Sequence, residues 1–379
     1  MPSVYMNTDR KPLTALPPRN SKVKSFHQSL PLYRPTPLVS LPEIAQQLGI
    51  QYLLVKDESS RLGLPAFKIL GASWATARAV AKHVGLETRV LATSGNIEND
   101  LSLKNLASAA QTADVALYAA TDGNHGRAVG RMAKYLGIQA KIFIPSMVDE
   151  ETKSKIASEG AAVEVVNGSY DQTVIATKLA CDQHEGGKGL LISDTALEIE
   201  DEIPQWIVEG YQTMFDEIEE QVREATGRQT ITQVVVPVGA GSLACAVVIH
   251  FSTPRSPKPE IITVEPESAA CLKASLEAGK MTSVHATYTI CTGMCCGTLS
   301  ASVWSILREG VTVASTVSDQ EVDKAIHTLQ KYSISAGPCG AASFAAIQKL
   351  ARVQGIQLGP NSVVVILCTE AKRGYELRV

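Results

Sequence analysis

The stretch VVVPVGAGSLACAV, residues 234–247, decides the fold. Its first part, Val234 to Val238, is apolar on every position, which is the pattern of a central strand buried on both faces of a parallel sheet. Gly239-Ala240-Gly241-Ser242-Leu243 end the run, and an apolar helix follows. A strand feeding a helix through a glycine turn is the opening of a βαβ unit. Consecutive backbone N–H groups at such a turn, together with the helix N-terminus, make an anion site best suited to a phosphate. With Ala244 the turn also fits the looser dinucleotide pattern G-x-G-x-x-A, and Glu265 ends the next strand-like run. On this segment alone a simple phosphate cup and a dinucleotide site both stay open. No Gly-Lys-Ser/Thr follows the glycines, so an ATP P-loop is not expected.

Outward from this unit the same alternation repeats. Strand-like runs are QYLLVKD, VALYAA, AKIFIPS, AAVEVVN, GLLISD, EIITVEP, VTVASTV and SVVVILCT. Helical segments lie between them, such as GASWATARAVAKHV, NHGRAVGRMAKYLG, DQTVIATKLACDQHE and DQEVDKAIHTL. The expected class is α/β, with two parallel-type sheets packed by helices. The middle block, residues 88–190, carries its own βαβαβ set and reads as a smaller α/β domain. Residues 1–87 and 191–379 would together form the larger, discontinuous one. Residues 1–37, with Pro12, Pro17, Pro18, Pro31, Pro35 and Pro37, read as an irregular arm. The polar stretch from Ala92 to Thr112 reads as an insertion or surface helix.

The bulk numbers fit a globular chain of one large or two medium domains: 379 residues, 45% hydrophobic and 19% charged. A net charge of −3 speaks against nucleic acid or an anionic membrane as main partner. No apolar run reaches the roughly 18 residues of a membrane span. The polar N-terminus does not read as a secretory signal, and none is expected. Eight cysteines in a chain of this size are not a disulfide framework, and Cys245 and Cys368 stand inside apolar runs as buried thiols would. Cys295 and Cys296 are adjacent and no Cys-x-x-Cys occurs, so no metal site is expected. The cytoplasm is the expected compartment.

Three further segments carry candidate chemistry. In VKDESSRLGLPAFKILGASWA (55–75), Lys68 opens a helix among small and apolar residues. Partial desolvation would lower its pKa and suit it to imine formation. Taken alone, the plainer reading is a surface lysine in a first helical turn. In AATDGNHGRAVGRMA (119–133), Gly123 and Gly126 bracket a strand-to-helix turn where backbone can approach a ligand. Asn124 could hydrogen-bond a phenolate-like oxygen and Asp122 could act as a base; both are also ordinary helix caps. In SVVVILCTEAKRG (362–374), Cys368 and Thr369 end a buried strand, where α/β sheets bind ligands. A neutral thiol or hydroxyl there would leave a pyridine nitrogen largely unprotonated.

These four segments, in this order, resemble fold-type II pyridoxal-phosphate enzymes, the tryptophan synthase β-like superfamily. Within it the chain is similar to the diaminopropionate ammonia-lyases. The likeness rests on YRPTPL (Tyr33 to Leu38), LVKDES (Leu54 to Ser59), LPAFKILGAS (Leu64 to Ser73) and ATDGNHGR (Ala120 to Arg127). It continues in SDTALE (Ser193 to Glu198), IPQWIVEGY (Ile203 to Tyr211), VEPESAAC (Val264 to Cys271) and CTEA (Cys368 to Ala371). The resemblance implies α,β-elimination on 2,3-diaminopropionate or a related small amino acid, giving a 2-keto acid and ammonia. It implies pyridoxal phosphate held by Lys68, with Asn124 on the phenolic oxygen. Residues 239–243 would hold the phosphate, and Cys368 or Thr369 would face the ring nitrogen. It assigns Asp122 and Asp194 to proton removal from the D- and L-isomers, and it implies a homodimer.

The chain also departs from that family. Thr298, in CGTLS, stands where the family has the glutamate of Gly-Glu-Pro, and Pro338, in SAGPCGAAS, replaces a second glutamate. AKRGYE replaces a more acidic segment after the last strand. Loss of these carboxylates would weaken recognition of a β-ammonium. Serine or threonine dehydration, β-replacement or racemisation on the same cofactor therefore stay open, as does a pyridoxal-phosphate-binding protein without catalysis.

Overall fold

The structure is a computed structural model, and it describes residues 3–8, 10, 13, 16–86, 101–196, 198–227, 230–252, 258–353, 355–356 and 358–378. Eleven strands form two sheets among these residues. The larger sheet contains β1 (Val4–Met6), β2 (Leu38–Ser40), β3 (Tyr52–Asp57), β8 (Gln233–Pro237), β9 (Glu260–Pro266), β10 (Val313–Val317) and β11 (Val363–Cys368), in the order β1-β10-β9-β8-β11-β3-β2. Its five inner strands are parallel, and the short strands β1 and β2 close the two edges antiparallel. Every residue of β8 and β11 is buried, as their apolar runs, 234–237 and 363–368, require. In register, Ile366 of β11 lies between Val235 of β8 and Val55 of β3.

The smaller sheet is wholly parallel, in the order β6-β5-β4-β7: β4 (Val115–Ala120), β5 (Gln139–Pro145), β6 (Ala162–Val166) and β7 (Lys188–Leu191). GLLISD thus stays in the sheet only to Leu191, which leaves Ser193 and Asp194 beyond the carboxyl end of β7. Of the polar stretch 92–112, residues Leu103–Thr112 form a helix that buries Leu106 and Ala110. The rest up to residue 100, like the expected boundary at 88, lies outside the described residues.

The N-terminal arm is not irregular throughout. Lys22–Ser29 is a helix that buries Val23, Phe26 and His27, and Val4–Met6 pairs with β10. Prolines 17, 18 and 31 bracket that helix without entering it. His27 is pinned inside by Thr213 Oγ1 at 2.7 Å and the Leu70 carbonyl at 3.0 Å. Burial holds its pKa down near 3.

The arm is also anchored by a buried ion network. Glu217, on the helix Gln212–Thr226, accepts from Arg61 Nη1 and Nη2, both at 2.7 Å, and from Lys56 Nζ at 2.7 Å. It also accepts from Tyr33 at 3.0 Å and from the Thr36 N–H at 3.3 Å. Arg61 reaches Glu58 as well, at 2.6 and 2.8 Å. Burial alone would raise the Glu217 carboxyl; its bonds and charge attraction to Arg61, then Lys56, outweigh this and hold it at about 2.

The helix Lys68–His83 crosses Glu202–Gly210 at two glycines. A Cβ on Gly71 would come within 2.7 Å of Ile207, and one on Gly210 within 2.6 Å of the Leu70 carbonyl. Trp74 Nε1 donates to Glu209 across the same crossing at 2.5 Å. IPQWIVEGY is therefore the bed on which the Lys68 helix lies.

Candidate active site

The carboxyl ends of β4, β7, β8 and β11 bring the candidate residues together, as is usual for open α/β sheets. Lys68 is the first residue of its helix, and the preceding residue, Phe67, donates its N–H to the Thr369 carbonyl at 3.3 Å. Its ammonium reaches across to Asp194 Oδ2 at 2.6 Å. Both side chains are largely shielded, with 26% and 15% of their surface exposed. This corrects the expected low pKa of Lys68. Burial does pull it down, but the Asp194 charge and hydrogen bond, helped by Tyr211, reverse the sign and raise it. Asp194 is correspondingly depressed: burial works against its ionisation, and Lys68 followed by His125 outweighs burial.

Asp122 stands in the turn after β4 and is exposed. Its carboxyl is nonetheless raised, through desolvation by the surrounding protein, with Lys68 opposing. The two aspartates therefore sit on either side of the ordinary carboxylate value, so their surroundings suit them to different proton-transfer roles. The turn is kept tight by Thr121 Oγ1, which accepts from the N–H groups of Gly123 at 2.9 Å and Gly126 at 3.1 Å.

Asn124 begins the helix Asn124–Leu136 and donates one Nδ2 hydrogen to Glu370 Oε2 at 3.0 Å. The second hydrogen remains for a ligand oxygen. His125 is buried; its Nε2 meets the Ile192 carbonyl at 2.7 Å, while Nδ1 lies 4.0 Å from Asp194 Oδ2 and is otherwise without a partner.

The glycine turn has the form of an anion cup. Gly241 is at φ +99°, and a Cβ on Gly239 would stand 2.9 Å from the Gly293 carbonyl. The N–H groups of Gly241, Ser242, Leu243 and Ala244 find no acceptor among the described residues, and Ser242 opens the helix Ser242–Ser252. Ser242 Oγ donates to the Asp194 carbonyl at 2.8 Å, and Ser300 holds both Ala240 and Ala196, so cup and acid share one frame. Glu265 does not face this cup as a ribose ligand would. Its carboxylate accepts the N–H groups of Leu272 and Lys273 at 2.7 and 2.8 Å, capping the next helix, Cys271–Ala278. The geometry thus favours a phosphate over a dinucleotide.

At the end of β11 the two candidates part. Cys368 packs with Val364 and Ile366 toward the helix Pro338–Leu350, and its thiol lies 3.8 Å from the Glu370 carbonyl. Thr369, by strand alternation, has the parity of Val365 and Leu367, which share a core with the Lys68 helix.

Sequence reasoning passed over four residues here. Cys296 lies against the cup, 3.3 Å from a Cβ placed on Gly239, and burial followed by the Asp122 charge pushes its thiol up to about 12. Tyr211 packs its ring tilted against Phe67, centroids 4.9 Å apart, and buries a hydroxyl with no partner among the described residues. Glu370 accepts from Asn124, from the Cys339 N–H at 3.1 Å and from Arg373 Nε at 3.2 Å. Tyr211, Glu370 and Arg373 stood in IPQWIVEGY, CTEA and AKRGYE, but no local pattern marked them.

Residues 100–370 match the family described as pyridoxal-phosphate dependent enzyme. The chain belongs to the pyridoxal-phosphate-dependent enzymes. Its cofactor is pyridoxal phosphate, and a lysine beside a phosphate-type cup, with a neutral hydroxyl at a strand end, is a donor set that fits it. This pyridoxal-phosphate-dependent enzyme is 32% identical over 361 residues to diaminopropionate ammonia-lyase of Escherichia coli (strain K12), covering 92% of this chain and 87% of that one. It is 29% identical to L-serine dehydratase/L-threonine deaminase of Bos taurus, covering 65% and 73%. A crystal structure of the Escherichia coli diaminopropionate ammonia-lyase in complex with D-serine superposes with a TM-score of 0.84 at 31% identity, covering 97% of this enzyme and 93% of that chain.

Proposed function

We propose that the enzyme catalyses α,β-elimination on 2,3-diaminopropionate or a related small β-substituted amino acid, releasing a 2-keto acid and ammonia. One observation carries the reading: Lys68, Asp194 and the glycine cup converge in a single frame, through the 2.6 Å Lys68–Asp194 bond and the 2.8 Å Ser242–Asp194 bond. When bound, pyridoxal phosphate supplies an electron-accepting ring conjugated to the amino-acid α-carbon. In this reading Lys68 carries the cofactor and the N–H groups of residues 239–243 hold its phosphate. Asn124 uses its remaining amide hydrogen on the phenolic oxygen. We assign the ring nitrogen to Thr369 rather than Cys368, on the parity argument above.

Asp194 keeps a proton on Lys68, so the lysine can deliver it to the departing β-group. Asp122, whose raised pKa brings it nearer the operating pH, is suited to take a proton from the α-carbon. Two carboxylates on separate elements could serve the two enantiomers, as the resemblance implies. Among the described residues no helix is long and apolar enough to cross a membrane. We place the enzyme in the cytoplasm, supported by its eight unpaired cysteines. We expect a homodimer on the resemblance, and an organisation into residues 1–87 with 191–379 and a smaller 88–190 unit.

Asp194→Asn should lower kcat for keto-acid formation by about 10²–10³-fold while the protein still takes up cofactor. Steady-state rates on a panel of 2,3-diaminopropionate, serine and threonine check this, and full activity in the variant would remove Asp194 from the mechanism. Keto acid from none of the panel would favour replacement, racemisation or an inert binder.

A further inference from the structure

Two of the cleft carboxylates carry a basic partner. Asp194 is matched by Lys68 at 2.6 Å and Glu370 by Arg373 at 3.2 Å. Both Glu370 oxygens are committed, Oε1 to Arg373 and the Cys339 N–H, Oε2 to Asn124. Thr298 Oγ1 bonds Ser283 Oγ at 2.8 Å, and Pro338 opens the helix Pro338–Leu350. The N-terminus of that helix adds partial positive charge beside Glu370. Asp122, the remaining cleft carboxylate, is taken up by the α-proton in the elimination reading, so a β-ammonium would have no carboxylate of its own.

Arg373 is placed for the opposite task. It bridges from Glu370 to the Ile290 carbonyl, which its Nη2 reaches at 2.5 Å. Ile290 begins the segment that carries Gly293 and Cys296 against the glycine cup. The guanidinium is therefore fixed in the wall that joins the end of β11 to the cup, and its charge is felt at Asp122 across the turn. Its Nη1 has no partner among the described residues, and 27% of the side chain remains exposed. A fixed, planar, partly desolvated guanidinium with a free donor is suited to a carboxylate or another anion.

We propose that Arg373 sets substrate choice: the enzyme takes amino acids whose β-carbon carries an anionic group, above all a carboxylate, in preference to a β-ammonium. This rests on the elimination reading above. A β-hydroxy dicarboxylic amino acid would lose its α-proton to a cleft base and its β-hydroxyl as water, and the resulting enamine would hydrolyse to a keto dicarboxylate and ammonia.

The test uses holoenzyme with 3-hydroxyaspartate, serine and 2,3-diaminopropionate as substrates, and with succinate as a non-reacting ligand followed by calorimetry. Wild type should turn over 3-hydroxyaspartate with kcat/KM about tenfold or more above that for diaminopropionate, and should bind succinate. Arg373→Gln should lower the 3-hydroxyaspartate-to-serine ratio of kcat/KM by about tenfold and weaken succinate by a similar factor, while Arg373→Lys keeps part of both. A wild-type preference for diaminopropionate, an unchanged ratio in Arg373→Gln, or no succinate binding overturns the proposal. Succinate binding that depends on Arg373, without turnover of any substrate, would uphold the anion site and remove the elimination reading instead. If Arg373→Gln fails to fold, the wild-type ranking and Arg373→Lys still decide.

Discussion

Lys68→Ala is expected to lower keto-acid formation by about 10⁴-fold, the upper range for loss of a positioned proton-transfer group, because the same residue also carries the cofactor. The size follows from how singular the position is. Lys68 is held between the Thr369 carbonyl, through Phe67, and the Asp194 carboxylate, and it rides on a helix packed at Gly71 and Gly210 with no room to shift. Among the described residues, Asp194 has no other lysine or arginine partner within salt-bridge distance. A neighbouring cation therefore cannot take over by a change of rotamer. Initial rates of keto-acid release on the substrate panel measure the loss. A variant within about tenfold of wild type would mean that proton transfer runs through other groups.

Glu217→Ala should destabilise the protein by about 3–5 kcal/mol, the usual result of removing one partner from a buried ion network. It leaves Arg61 on Glu58 alone and Lys56 with only the neutral Thr36 carbonyl and Gln221, both cations having 0% of the side chain exposed. It also releases Tyr33 and the Thr36 N–H, and so loosens the arm from the helix Gln212–Thr226. The pH dependence has a definite sign. The folded pKa of about 2 lies below the ordinary 4.5, so the stabilisation is complete above the ordinary value and is lost as pH falls through about 2. Urea unfolding of wild type and variant should show the full gap near neutrality and a narrowing gap in acid. A gap below about 1 kcal/mol at neutral pH would show that Glu58, the Thr36 carbonyl and Gln221 satisfy the two cations without it.

The parts of the fold that were legible are those where local chemistry and tertiary role coincide. Strands β8 and β11 announce themselves because a strand buried on both faces must be apolar at every position. The Asp122–Gly126 turn and the Gly239–Leu243 cup are legible because their backbone demands small residues. Three-residue edge strands such as β1 and β2 carry too few positions to show alternation. The helix Lys22–Ser29 was hidden by the prolines that bracket it. The pKa of Lys68 went astray for a different reason. Its own segment shows desolvation, whereas the charge that reverses the sign lies 126 residues away. Glu370, Arg373 and Cys296 matter only through contacts between the end of β11, the Asn124 helix and the segment after Ile290, which no local pattern encodes.

The central claim is that Lys68 is the residue that holds pyridoxal phosphate. Borohydride reduction of the holoenzyme, followed by proteolysis and peptide mass mapping, tests it most directly. The phosphopyridoxyl mass should fall on the peptide containing Lys68 and be absent from Lys68→Ala. A label on another lysine, with Lys68 unmodified, would contradict the account.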